Sequence, residues 1–189
     1  MPLNDPEIRK ILKEYLLRLP AKPKAILDEL HVHRGNAIAD VVALYNEPHC
    51  YEIKGDNDCI SRLEKQGYYY NLAFNKITLV TTPKHLSNAQ KKAPSHWGIL
   101  IISEIENQIK IKHLRKASNN PLFKKEVAIQ TLWREEMLSI IEEHKLDISI
   151  KLNKLDLATS LASHLNKEMI YSNISKILTA RSATKIRSQ

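Results

Sequence analysis

The stretch that decides the fold is residues 39–80, which read ADVVALYNEPHCYEIKGDNDCISRLEKQGYYYNLAFNKITLV. The residues from Ile38 to Tyr45 are rich in Val and Ala and predict a strand. Turn-forming residues occupy positions 46–48, and residues 49–54 then read as the second strand of a hairpin. The sequence therefore predicts a β-hairpin near the start of the fold.

A helix and a further strand are predicted after this hairpin. Apolar or small residues recur at helical spacing along one stripe, which comprises Ile60, Leu63, Gly67, Tyr70 and Phe74. The β-branched run at residues 77–82 then predicts a buried strand. A helix that joins two such strands is expected to lie flat on the sheet.

Working outward, the flanking segments extend the alternation of helix and strand. Residues 5–19 predict an amphipathic helix with Pro6 in its first turn, and residues 23–30 predict a second, shorter helix that carries Glu29 at its end. Downstream, a short helix is expected at residues 83–92, a buried strand at 97–102 and an edge strand at 106–113. The fold class is therefore α/β with a mixed central sheet.

A break at residues 117–121, which read ASNNP, is the best candidate for a domain boundary. It divides the chain into a domain at residues 1–116 and a helical extension at residues 122–189. Helical spacing in the extension is carried by Ile129, Leu132, Trp133, Met137, Ile140 and Ile141, and then by residues 155–165 and 170–178. The extension is expected to serve in DNA binding or in dimerisation.

Composition favours a polyanionic partner and excludes a membrane span. The 29 Lys and Arg residues exceed the 21 Asp and Glu residues, which gives a formal net charge of +8. No uninterrupted apolar run approaches the roughly 18 residues that a span requires, and the amino terminus has no secretory signal. With only two cysteines, of which Cys50 lies in a strand pattern, a reducing cytoplasmic location is expected.

Three charged residues in the hairpin form the strongest candidate site. Glu52 follows Asp40 after 11 intervening residues, and Lys54 lies two residues further on. Residues two apart in a strand share a face, so Glu52 and Lys54 project together and hairpin pairing brings Asp40 close. Two adjacent carboxylates repel each other, and a divalent cation relieves that repulsion. We therefore expect Mg²⁺ or Mn²⁺ to be held by Asp40, Glu52 and the backbone carbonyl of Ile53, with Lys54 beside it.

An alternative interpretation of the same triplet is an exposed strand edge with solvated charges. Context favours a site, because the triplet ends a hairpin and is followed by a crossover helix and strand. This arrangement resembles the PD-(D/E)XK (restriction-endonuclease-like) nuclease superfamily, and in particular a family of small bacterial and phage proteins assigned to it. The residue before Asp40 is Ala39, where the family motif has Pro.

Three further features resemble that superfamily. Glu29 is at the position of a glutamate that reaches the metal in many members, although a solvated helix charge explains it equally well. Gln66 and Tyr70 match the Gln-x-x-x-Tyr signature of the RecB-like branch, although Tyr70 also suits the apolar core. The LWREE segment at residues 132–136 is similar to a downstream helix of the small family.

The resemblance implies a restriction-endonuclease-like core of αβββαβ type and a Mg²⁺-dependent nuclease. Asp40, Glu52, Lys54, Gln66 and Tyr70 would be its catalytic residues, and a metal-activated water would hydrolyse phosphodiester bonds in DNA, with RNA as the second candidate substrate. The alternative is a nucleic-acid-binding or regulatory protein that keeps the fold without turnover. A homodimer is compatible with either.

The last basic residues of the chain allow two interpretations. No acidic residue occurs after Glu168, whereas the same stretch contains four basic residues: Lys176, Arg181, Lys185 and Arg187. Either this tail grips the DNA backbone, or the helices pack on the first domain or form a dimer contact and the tail is solvated.

Overall fold

Six strands form one open sheet, and seven α-helices surround it in the part of the chain that the structure describes. The structure is a computed structural model that describes residues 2–59, 61 and 63–187, with side chains up to Thr184. The elements in chain order are α1 (Asp5–Arg18), β1 (Ala25–Val32), β2 (Ala37–Leu44), β3 (Pro48–Lys54), α2 (Leu63–Ala73), β4 (Lys76–Thr81), α3 (Leu86–Lys92), β5 (Gly98–Ile105), β6 (Gln108–Arg115), α4 (Lys125–Ile129), α5 (Arg134–Glu143), α6 (Lys154–His164) and α7 (Lys167–Arg187).

The sheet is mixed, with the strands in the spatial order β1-β2-β3-β4-β5-β6. Strands β1, β2 and β3 form an antiparallel meander, whereas β3, β4 and β5 run parallel because helices α2 and α3 provide the crossovers. Strand β6 returns antiparallel to β5 at the edge. The α/β class with a mixed central sheet is confirmed, as are the predicted strands β2 to β6.

Alternation along the strands gives each sheet face its own apolar layer. On one face, Ile8, Leu12 and Leu16 of α1 pack with Val41 and Ile53. The other face is covered by α2 and by the helices that follow β6. In α2, Gly67 packs closely against the Trp97 ring. A Cβ at this position would lie only 3.1 Å from that ring, so a larger residue would be crowded. Ile60, which was predicted on the apolar stripe of this helix, lies outside the described residues.

The segment at residues 23–30 is not a helix. It forms most of strand β1, whose Leu30 pairs with Ala39 of β2. A short apolar run after a proline is compatible with either structure, and tertiary pairing with β2 decides for the strand. Glu29 therefore lies within a strand, with a φ of 56° that interrupts its regular geometry.

The region at residues 122–187 is largely helical, as predicted, and packs on the sheet. Its apolar residues belong to the same buried cluster as those of β1, β2 and α2. The Ser175 hydroxyl of α7 also donates to the carbonyl of Tyr45 at the end of β2. The predicted run at residues 129–141 is not one helix, because α4 ends at Ile129 and α5 begins at Arg134. The division into units at 1–116 and 122–189 stays a prediction.

Two expectations from composition concern single features of the fold. Cys50 is fully buried in the core, as its strand pattern predicted. Among residues 2–59, 61 and 63–187, no helix combines the length and the apolar character needed to cross a bilayer.

Candidate functional site

Strands β2 and β3 separate at the point where Asp40 lies. Their pairing runs from Leu44 and Pro48 to Val41 and Tyr51, and the same register continued would place Asp40 opposite Glu52. Asp40 and Glu52 do not form such a backbone pair. Instead, the Asp40 side chain bonds to the neighbouring strand, where its Oδ2 accepts a hydrogen bond of 2.8 Å from the backbone N–H of Ile53. The predicted hairpin therefore brings Asp40 beside the Glu52–Lys54 segment.

Glu52 and Lys54 form a buried ion pair on the face of β3 that meets α2. Glu52 is 0% exposed and Lys54 is 8% exposed. The Lys54 ammonium lies 2.5 Å from Glu52 Oε1, whereas Glu52 Oε2 has no hydrogen-bond partner within the described structure. Solvated charges on an exposed strand edge are therefore the wrong interpretation of this triplet. Burying a carboxylate oxygen without a hydrogen bond is energetically costly.

The electrostatic environment of Asp40 is unusual for an aspartate. Burial, followed by the negative charge of Glu52, raises its pKa from 3.8 to about 7, although the Ile53 N–H and Lys54 act in the opposite direction. Near neutral pH the Asp40 carboxyl is thus divided between its charged and its protonated form.

Helix α2 contributes the two further residues that the sequence singled out. Gln66 accepts a hydrogen bond of 3.3 Å from the Lys54 ammonium through its Oε1. The Tyr70 hydroxyl donates to the carbonyl of Ile38 at 2.6 Å, and its ring is fully buried. Burial and the charge of Glu52 raise the pKa of Tyr70. Tyr70 is therefore both a core residue and a neighbour of the cluster.

Glu29 is not brought into this cluster. It is exposed, and it lies on β1 across from Asp40 where regular pairing is interrupted. Within the described residues, no group of three or more His, Cys, Asp or Glu side chains has an arrangement that would hold a metal ion. Glu29 was expected at the end of a helix, but this segment forms strand β1, so that expectation is wrong. A role for Glu29 in metal binding stays a prediction.

Arg9 of α1 is a member of the cluster that sequence reasoning missed. Its guanidinium donates to the Asp40 carbonyl at 2.6 Å and lies 3.7 Å from Asp40 Oδ1. The same group pairs with Asp5 at 2.8 Å. The only signal in the sequence is the i, i+4 spacing of Asp5 and Arg9, which fixes the arginine on the helix but does not reveal what it contacts.

The basic residues near the carboxyl terminus are engaged within the molecule. Lys176 pairs with Glu143 at 2.7 Å. Arg181 pairs with Glu136 and also lies 4.1 Å from the centroid of the Trp133 ring. The packing alternative is therefore supported for these two residues. The side chains of Lys185 and Arg187 lie outside the described structure.

Fold and site together define an α/β protein with a mixed six-stranded sheet and a buried Asp–Glu–Lys cluster on its central strands. The family model described as "Bacteriophage P4 protein cII" matches residues 2–188, and the chain belongs to this family. Protein cII of Enterobacteria phage P4 is 25% identical over 169 residues, which cover 89% of this chain. The chain spans 64% of the length of that relative.

This membership corrects the functional expectations. The assignment to the PD-(D/E)XK superfamily is wrong, because the model that matches nearly the whole chain is that of the cII family. The prediction of a metal-dependent nuclease is wrong for the same reason, since the matched family and relative are cII proteins. The expectation of a phage protein agrees with the matched family and relative. No solved structure matches the chain, so a restriction-endonuclease-like core is not confirmed. It stays a prediction that five residues form a functional site: Asp40, Glu52, Lys54, Gln66 and Tyr70. The hydrolytic chemistry expected of them is no longer part of that prediction.

Proposed function

We propose that this protein is a phage regulatory protein that binds DNA without cleaving it. The observation that carries the proposal is the excess of basic over acidic residues, with a net charge of +8, in a member of a phage protein family. A polyanion is the natural partner for this charge, and DNA is the polyanion on which a regulatory protein acts. The proposal places the protein in the cytoplasm of the infected cell.

Strand β6 offers the most accessible basic surface for such contact. Lys110 and Lys112 are exposed, lie two residues apart and therefore share a face of this edge strand. Lys116 follows just beyond the strand and is also exposed. None of the three has an acidic partner among the described residues, so their charges are available to phosphate groups.

The salt dependence of duplex DNA binding tests this proposal. Each phosphate contact contributes about 0.9 to the slope of log affinity against log salt concentration. The double variant Lys110→Ala/Lys112→Ala should lower the slope by about 1.8. Lys176→Ala is the matched control, because that ammonium already pairs with Glu143, and its slope should equal that of the wild type. Absence of binding by the wild-type protein would refute DNA binding, and an unchanged slope in the double variant would exclude β6 as the interface.

A cleavage assay separates binding from turnover. Labelled single- and double-stranded DNA incubated with the protein and Mn²⁺ should form complexes and yield no product. Cleavage that disappeared in Lys54→Ala would contradict the proposal. Light scattering on the same complexes gives their mass and shows whether the protein binds as a homodimer.

The proposal includes a divalent cation at the buried cluster. The unpartnered Glu52 Oε2 and the raised pKa of Asp40 support this, because Mg²⁺ or Mn²⁺ prefers carboxylate oxygens and would relieve the repulsion between the two groups. The carbonyl of Ile53 is the third expected ligand. Such an ion would fix β2 against β3, which raises the melting temperature in Mn²⁺. Asp40→Asn and Glu52→Gln should each abolish this increase, whereas an increase that survived both substitutions would place the ion elsewhere.

A further inference from the structure

A cleft of about 350 Å³ lies on the side of the molecule where β1 meets the carboxyl-terminal helices. Its walls come from β1, from the turn at residues 33–35 and from the segments around Trp133, Lys154 and Arg181. Its lining includes none of the residues of the candidate site, which are Arg9, Asp40, Glu52, Lys54, Gln66 and Tyr70. It is therefore separate from the site described above.

One wall of the cleft is an exposed tryptophan held in a fixed position. Trp133 is 56% exposed, and the guanidinium of Arg181 lies 4.1 Å from its ring centroid. Glu136 accepts a hydrogen bond from the backbone N–H of Trp133 at 2.6 Å, and it accepts another from Arg181 Nε at 2.9 Å. The Arg181 guanidinium, which Glu136 orients, thus packs against the exposed indole, and this contact reduces the entropy lost when a flat ring stacks on the indole.

The cleft also carries two cationic side chains that form no direct ion pair within the described residues. Lys154 and Arg34 both line it, and neither forms an ion pair or hydrogen bond with a described residue. Burial, and then the positive charges of Arg181 and Arg34, lower the pKa of Lys154, although the carboxylates of Glu136 and Glu135 act in the opposite direction. These charged groups therefore lie within electrostatic range of one another. An anion placed between them would relieve this repulsion.

The acidic residues of the cleft do not cancel this charge. Asp28 is already paired with Lys13 at 2.6 Å and with Arg9 at 3.5 Å. Glu29 is the remaining carboxylate of the lining. An aromatic platform beside two cations that form no direct ion pair is a combination that suits single-stranded nucleic acids and nucleotides, because the base stacks and the phosphate pairs with a basic group.

We propose that this cleft binds a phosphorylated nucleoside, with its base on Trp133 and its phosphate between Arg34 and Lys154. The ligand is either a free nucleotide or one unit of a single strand. In the second case the inference rests on the proposed function, since it identifies the single-stranded nucleic acid that the protein contacts beside duplex DNA.

Intrinsic fluorescence tests the proposal directly. The second tryptophan, Trp97, is 0% exposed and its indole N–H is bonded to Asn71, so an added ligand can quench only Trp133. Both dTMP and a ten-residue oligo-dT are titrated into the full-length protein. Quenching by both compounds supports a nucleotide site, and quenching by the oligonucleotide alone supports the single strand as its source. Quenching by neither, or quenching that persists in Trp133→Phe, overturns the proposal.

Affinities for labelled oligo-dT complete the test. Trp133→Ala should bind roughly tenfold more weakly, as expected for the loss of one stacked base, whereas Trp133→Phe should stay within about threefold of the wild type. Tyr68→Ala removes an aromatic ring that is 61% exposed outside the cleft and should not change the affinity. Equal binding by Trp133→Ala and the wild type would overturn the stacking role.

The phosphate contact is tested with two ligands that differ only in that group. Arg34→Ala and Lys154→Ala should weaken binding of dTMP but not of thymidine, and Lys22→Ala, which changes an exposed lysine outside the cleft, is the matched control. Weakening of both ligands alike would overturn the assigned phosphate contact. Because dTMP binding is measured without duplex DNA, it is scored separately from the proposed function.

Discussion

Glu52 Oε1 lies 2.5 Å from the ammonium of Lys54, two residues further along β3, while Glu52 Oε2 is buried with no hydrogen-bond partner in the described structure. The pair is therefore satisfied on one side only. Its members are buried on a central strand, where an unpaired charge is costly.

Breaking this pair should be strongly destabilising. In Glu52→Gln the Lys54 ammonium loses its charged partner inside the protein, and we expect a loss of about 3–5 kcal/mol in the free energy of unfolding. Urea denaturation measures it. The control is Glu64→Gln, whose pair with Lys92 is 69% exposed on the glutamate side and should contribute less than about 1 kcal/mol. A Glu52→Gln protein as stable as the control would contradict the buried pair.

Asp40 should make stability depend on pH between about 4 and 7. Its pKa is about 7 in the folded protein against 3.8 for the free side chain, so in this range the folded state holds a proton that the unfolded state lacks. The resulting stabilisation is complete when the pH is below the pKa of Asp40 in the unfolded state. It is lost as the pH rises through the pKa of Asp40 in the folded state. The wild type should therefore lose up to about 1.4 kcal/mol per pH unit relative to Asp40→Asn. Parallel stability curves for the two proteins would exclude the raised pKa.

The Tyr70 hydroxyl should contribute to stability through one buried hydrogen bond. Tyr70→Phe removes the donor to the Ile38 carbonyl at 2.6 Å and leaves that oxygen without this partner, which costs about 1–2 kcal/mol. Tyr68→Phe is the matched control because Tyr68 is 61% exposed. Thermal melts of the two variants should differ clearly, and coincident melts would show that the Tyr70 bond makes no net contribution.

Arg181 should act on stability more than on DNA binding. Its side chain is 15% exposed and Glu136 is 16% exposed, so Arg181→Ala leaves a poorly solvated carboxylate and removes the cation beside Trp133. We expect a loss of about 3 kcal/mol by urea denaturation. Lys176→Ala, whose ammonium is 63% exposed, should lose less than about 1 kcal/mol. Equal losses in both variants would argue against the buried pair.

Most of the fold could be predicted from the sequence because its signals are local. The amphipathic stripe of α1, the turn formers at residues 46–48 and the β-branched run of β4 each specify an element without knowledge of the rest. Strand β1 was misread, because a short apolar run after Pro23 fits a helix or a strand until its partner β2 is known. The break between α4 and α5 was missed, because the apolar spacing continues across it.

The cluster could be predicted in part for a similar reason. Strand periodicity places Glu52 beside Lys54, and helical spacing places Gln66 four residues before Tyr70, so these contacts follow from the sequence. Arg9 reaches Asp40 only because α1 packs across the sheet, a contact between residues far apart in the chain that no local pattern encodes. The resemblance to a nuclease was carried by the same short motif and was wrong, which shows that a D-x(11)-E-x-K spacing indicates geometry better than chemistry.

The packing of α7 has a consequence for how the chain reaches its native state. This helix covers β1, β2 and β3, and its Ser175 bonds to Tyr45, a residue 130 positions earlier. During synthesis the meander emerges long before the helix that shields it, so one apolar face stays open to solvent, or to a chaperone, for most of translation. Because the contact joins residues so far apart in the chain, we expect docking of α7 to be a slow step of folding.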